Sequence, residues 1–343
     1  MKNTPSKKYV LIKNIRVLYK DGSNLYGSKR NCIYISSDFG DTWTYSCKIH
    51  MSWGHRFLAR FRILERLLRL EIYKLQVTKN YIVILAKGGV YSGRKNEPVI
   101  FKTWNADRGS RPISLCVTPD EQILIGEYHS NPERDPVNIY RSHDASKWEV
   151  GFTFPAGSIR HIHGIYFDKF RTELWILTGD YEHEAAIYRA PLELSSVQCI
   201  RSGSQLYRAY SCIIDENGIY YATDTEVSQN FICYLSANGE IHKKLAPIEA
   251  SAFHSCKIGD DFFFSTVCEP SICNDMKNLH IWRLNNGELC QSFHSFQKDC
   301  YPMVAQYGNV FFPEGDGPGN DYLYVSGSAI KKIDGHTLRM SIM

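Results

Sequence analysis

The stretch Ile162-His163-Gly164-Ile165-Tyr166-Phe167, then Leu174-Trp175-Ile176-Leu177-Thr178-Gly179-Asp180, then Ala186-Ile187-Tyr188-Arg189 reads as three short strands separated by polar turns. Its runs are rich in β-branched and aromatic residues and too short for helices, the pattern of strands packed on both faces. The same phrase recurs on either side. Upstream it runs through residues 113–117, a turn at Pro119-Asp120-Glu121, then 123–127 and 137–141. Downstream it runs through 211–214, a turn at Asp215-Glu216-Asn217-Gly218, then 219–224 and 231–234. Further copies lie at 75–85, 256–282 and 304–325. The centres of the second strands, Ile84, Leu124, Leu177, Tyr221, Phe264 and Phe311, are roughly 40 to 50 residues apart, the period of a ring of four-stranded sheets. With residues 9–50 as one more copy, the spacing predicts an all-β, seven-bladed β-propeller forming a single domain over residues 1–343. Six blades result if residues 9–50 only complete the last one.

Composition narrows the function. A length of 343 residues suits one large all-β domain. The net charge of +4, with no concentrated basic stripe, argues against a nucleic-acid partner. No apolar run is long enough to span a membrane, and the lysine-rich start predicts no signal peptide. Eleven scattered cysteines without a CxxC pair read as reduced thiols in a cytoplasmic protein. Residues 55–73 break the strand rhythm. Phe57, Leu58, Phe61, Leu64, Leu67 and Leu68 recur at helical spacing among Arg56, Arg60, Arg62, Arg66 and Arg69. This predicts a short inserted basic amphipathic helix between blades 1 and 2. It would cover the ring edge or the partner of an oligomer with a solvated arginine face, or make peripheral contact with an anionic membrane through residues 55–70.

At Ser36-Ser37-Asp38-Phe39-Gly40-Asp41-Thr42-Trp43 the chain resembles the Asp-box (BNR-repeat) hairpin of the sialidase-like β-propeller superfamily, with Ser36, Asp38, Gly40 and Trp43 as its structural residues. Ser142-His143-Asp144 with Trp148 resembles a shortened second copy. The resemblance implies a propeller. The arginine triad and the Arg–Ile–Pro motif of the sialidase branch have no counterpart here. The run from His161 to Asp168, followed by residues 174–180, is similar to uncharacterised Asp-box proteins associated with bacterial surface polysaccharides.

In a propeller the loops entering first strands and leaving second strands share one end of the channel. The repeat places Arg160, His161, His163, Arg208, Tyr210, His254 and Tyr301 at the first position. It places Glu127, His129, Asp180, Asp224, Glu226, Glu269, Glu314 and Asp316 at the second. His161 and His163, two apart on a strand, share a face. With His129, Asp180 and His254 they are the expected ligands of a divalent metal such as zinc or manganese. The expected substrate is an acidic oligo- or polysaccharide, held by Glu127, Asp224, Glu269, Tyr301 and Glu314. Lyase-type cleavage would use His163 or His254 as base, Tyr210 as acid and Arg160 or Arg208 as carboxylate clamp. Hydrolase-type cleavage would use paired carboxylates, Asp180 among them. A non-catalytic carbohydrate-binding or scaffold propeller is the alternative.

Overall fold

Short apolar runs broken by Gly, Asn and Asp turns favour pairing between sequence neighbours, so the chain folds as a series of antiparallel hairpins. The computed structural model describes residues 9–109, 111–273, 275–285, 289–315 and 321–342; Asp316 lies outside the described residues. The strands form six hydrogen-bonded sheets, five of four strands and one of eight. The eight-stranded sheet consists of two meanders, residues 16–49 and 74–105, joined where Lys48 and Ile49 pair in parallel with Val99 and Ile100. Against the expected seven blades the described residues thus form six hydrogen-bonded sheets, the number of the six-bladed alternative, because two meanders share one sheet.

The first strands of successive meanders stand side by side: Arg16–Asp21, Lys74–Val77, Cys116–Val117, His161–Asp168, Ala209–Ile214, Ala252–Ile258 and Asn309–Phe311. Contacts between neighbours, the Gln76 side-chain amide donating to the Leu115 carbonyl (3.0 Å) and the Lys20 N–H donating to the Glu314 carbonyl (2.8 Å) close them into a ring around a channel. The strand Tyr9–Ile12 completes the last sheet by pairing with Thr337–Ser341. The core lies between adjacent sheets. Trp175, Leu177 and Ile187 of one pack on Tyr221, Cys233 and Leu235 of the next, each large apolar side chain contributing about 1.5–3 kcal/mol.

Three local expectations are corrected. In the last copy, residues 303–305 form a 3-10 turn, the first strand is Asn309–Phe311 and the second is Tyr322–Ser328. Glu314 therefore follows a first strand and sits at the opposite end of the channel. The insert is two short helices, α1 (Trp53–Leu58) and α2 (Arg62–Leu67), separated at Phe61, whose backbone is extended. Nor are its arginines a uniformly solvated face. Arg66 is fully buried against Asp299 (2.5 Å) and Asp334 (3.2 Å), and Arg62 binds Glu65, Glu71 and Asp334. The turn at Ser36–Trp43 closes on itself. Asp38 accepts from the Thr42 hydroxyl (2.6 Å) and N–H (2.9 Å), Gly40 takes φ +92°, and the Trp43 indole donates to the Gly40 carbonyl (3.0 Å). Those bonds, the Thr42 hydroxyl first, hold the Asp38 carboxyl down at about 2.

Candidate metal centre

The strand His161–Asp168 slips register against its partner between Ile162 and Gly164, leaving His163 at a bulge. Bulges re-aim side chains, and this one brings both imidazoles to the channel mouth. His161 Nδ1 donates to the His129 carbonyl (3.0 Å) and His163 Nδ1 to the Ala209 carbonyl (3.0 Å). A carbonyl only accepts, so both Nδ1 atoms carry the hydrogen and both Nε2 atoms offer lone pairs. Those two Nε2 atoms lie 3.1 Å apart, and each faces Asp180 Oδ1, at 3.3 Å from His161 and 3.2 Å from His163. Burial lowers the His163 pKa, keeping that ring neutral. Asp180 therefore turns one carboxylate oxygen toward two lone pairs. Arg160 fixes its other oxygen at 2.9 Å.

Three acceptors in mutual contact repel unless a cation sits among them. For metal–ligand bonds of about 2.0–2.1 Å, ligand atoms around one ion stand roughly 3.0–3.4 Å apart, the separations seen here. His161, His163 and Asp180 thus form a group able to coordinate a divalent cation. The Nδ1–carbonyl bonds and the Arg160–Asp180 pair supply the outer contacts that orient such ligands.

A second layer surrounds the group. Tyr128 lies over His161, ring centroids 4.3 Å apart. Arg208 reaches Asp180 (3.4 Å), Asp224 (3.7 Å) and Glu226 (3.4 Å). Burial raises Asp224 well above its ordinary value despite Arg208. Burial and then Glu226 push Glu269 up to about 7. Buried polar atoms without a hydrogen bond among the described residues gather here: His129 Nδ1, Arg160 Nε, Arg208 Nε, Asp224 Oδ1 and Glu269 Oε2. Such atoms are rare in a finished protein interior.

This geometry sits on a ring of sheets that also occurs in known structures. The fold is propeller-like. The chain is similar over 100% of its length to 97% of a chain in the crystal structure of the mitotic checkpoint complex, at 8% identity and TM-score 0.59. It is similar over 99% of its length to 40% of the extracellular domain of the putative one-component system BT4673 from B. thetaiotaomicron, at 10% identity and TM-score 0.58. No family model matches the sequence, and no curated protein matches it. These likenesses establish the fold and leave the sialidase-type resemblance without further support. The cytoplasmic expectation is withdrawn, one of these two structures being an extracellular domain.

The remaining expected residues divide. His129 contributes its backbone carbonyl, not its ring. His254 stands apart from the metal group. Tyr210 lies between them, its ring centroid 6.0 Å from that of His163 and 5.6 Å from that of His254, while His254 Nε2 meets the Asn309 amide (3.3 Å). Neither His129 nor His254 belongs to the metal group, which corrects the five-residue set. Glu127 is consumed by Arg108, the Asn138 N–H and Tyr140. Tyr301 packs under Arg66 of α2. Glu314, at the far end, binds Lys74 (2.6 Å) and Gln76 (2.8 Å). Tyr128 and Gln205, which donates to the Asp180 carbonyl (2.9 Å), were not anticipated. Their places after a second strand and before a first strand were the signal available.

Proposed function

We propose that the channel mouth of a seven-bladed propeller binds one divalent ion of the zinc or manganese type and cleaves an acidic carbohydrate by hydrolase-type chemistry. Counting each half of the eight-stranded sheet as a blade supports the number seven. The observation that carries the function is the convergence of His161 Nε2, His163 Nε2 and Asp180 Oδ1. A bound ion of this kind supplies a Lewis acid for a sugar carboxylate or hydroxyl. Glu269, with a carboxyl near 7, is suited to exchange a proton at neutral pH, and Asp224, whose carboxyl burial raises well above its ordinary value, is suited to donate one. Arg160 and Arg208, whose Nε atoms make no hydrogen bond among the described residues, are the clamp for a sugar carboxylate in this reading. Tyr181, exposed and flanked by Arg134 and Arg160, offers a face on which a sugar ring stacks.

The lyase scheme has less support. With His163 as a ligand its Nε2 is unavailable, and burial pushes His254 down to about 3, making it a weak base. A binding-only reading is favoured by one observation, the near-complete burial of His161 and His163. Metal analysis of the purified chain, followed by acidic oligosaccharides assayed for new reducing ends and for ultraviolet-absorbing products, separates these readings. New reducing ends without absorbance, lost in Glu269→Gln, support hydrolysis; retention of sugar without products leaves binding. No metal in the wild-type chain sinks the metal reading.

The outward face of the insert completes the proposal. Trp53, Phe57 and Phe61 are exposed and touch in a row, Trp53 stacked on Phe57 and Phe57 edge-on to Phe61, α1 buries no residue and has no acidic group in its first turn, and Arg56 and Arg60 flank the row. We infer that this ridge rests on an anionic membrane surface.

A further inference from the structure

The other end of the channel is also a built site. All first strands end there, about 20 Å from the His161 end by strand rise, around a cavity of about 750 Å³. That volume suits a small ligand. Lys20, Lys79, Lys169 and Lys257 line it, each from a different meander, with Glu121 and Glu314 as the acidic lining residues. Both carboxylates are already engaged. Glu314 binds Lys74 and Gln76, and Glu121 accepts from the Lys79 N–H and the Asn80 amide. None of the four lysine ammonium groups makes an ion pair with a carboxylate among the described residues.

Lys20 decides the argument. The residue is 7% exposed and lines the cavity, and its ammonium has no hydrogen-bond or ion-pair partner among the described residues. Ser255, on the same wall, has a buried hydroxyl without a partner. Burial pushes the Cys116 and Cys256 thiols up to about 12, so they add no negative charge. We propose that this mouth is a second ligand site, for a compact anion carrying at least two phosphate or carboxylate groups, with Lys20 as its central contact. The site uses none of the metal group's residues.

Calorimetric titration with inorganic tripolyphosphate and with citrate, at low and physiological salt, tests this. One-to-one binding of either anion, weakened by salt, is expected, and the tighter anion identifies the chemical class. Lys20→Met, close in volume, should weaken it at least about 10-fold. The exposed pair Lys169→Gln/Lys257→Gln, which leaves the buried packing untouched, should do so by a similar factor. His161→Ala should change nothing, which keeps this outcome separate from that of the metal centre. Absence of saturable binding by both anions, or unchanged affinity in both the folded Lys20→Met protein and the rim variant, overturns the proposal.

Discussion

At His163 a one-residue bulge and a neutral, buried ring combine to present a bare lone pair, and His161 and Asp180 do the same within 3.3 Å. The sequence spacing put the two histidines on one face, and the structure supports that pairing. It could not indicate that Nδ1 of each would be spoken for by a backbone carbonyl, because carbonyl direction depends on the neighbouring meander. Either His161→Ala or His163→Ala should cut zinc affinity at least about 100-fold while leaving the melting temperature of the metal-free chain within a few degrees; zinc competition against a chelating dye reads this directly. Gly179→Ala is the finer probe. Its Cβ would stand 3.0 Å from His163 Cε1 and 3.1 Å from Arg208 Cγ, so the ring must move while all three ligands remain. Affinity should fall roughly 10-fold; an unchanged value means that ring placement is not limiting. Glu269 gives a pH signature. Its carboxyl rises from 4.5 unfolded to about 7 folded. Between those values the folded state holds more protons, so stability falls as pH rises through the window. Urea unfolding from pH 4.5 to 7.5 should show a component of that sign, absent in Glu269→Gln.

The insert shows what helical periodicity does and does not encode. Apolar spacing over residues 55–73 located helix, but it read the arginines as solvent-facing because charge alone carries no partner. Asp299 and Asp334, far along the chain, turn Arg66 into a buried anchor that also donates to the Ala305 carbonyl (3.1 Å). Arg66→Met should leave Asp334 to Arg62 and Asp299 to Lys298 and, with the buried arginine's own bonds lost, destabilise the chain by about 3 kcal/mol, with proteolysis between residues 53 and 70 accelerating first. The outward ridge responds differently. Trp53→Ala/Phe57→Ala should leave stability within about 0.5 kcal/mol yet reduce co-sedimentation with phosphatidylserine vesicles several-fold. A blue shift of Trp53 fluorescence on such vesicles, and none on phosphatidylcholine alone, is the matching spectral result. Equal behaviour on both lipids, or none on either, removes the anionic-membrane reading.

Across the whole molecule, the repeat was legible because each meander carries its own hairpin turns and apolar strands, and these are local. What escaped was whatever depends on closure. Residues 304–312 were read one strand out of phase, since Val304 to Gln306 look apolar enough for a strand, and only ring closure shows that Asn309–Phe311 fills the inner position. That slip carried Glu314 to the wrong mouth. Closure also fixes the role of Tyr9–Ile12, which pairs with Thr337–Ser341 over four residues and buries Ile12 against Ile15, Leu25 and Tyr324. Deleting residues 1–14 removes that ladder and the Ile12 contact, and leaves Thr337–Ser341 an open edge. The ladder and one buried isoleucine together amount to about 3–5 kcal/mol, which for a domain of this size lowers the melting temperature by roughly 4–7 °C. Val10→Ser, at an exposed position in the same strand, should shift it by less than about 2 °C, because it keeps the ladder. A truncated chain that melts with the full-length protein would mean that the last sheet holds with three strands, and that the ring does not depend on joining the two ends of the chain.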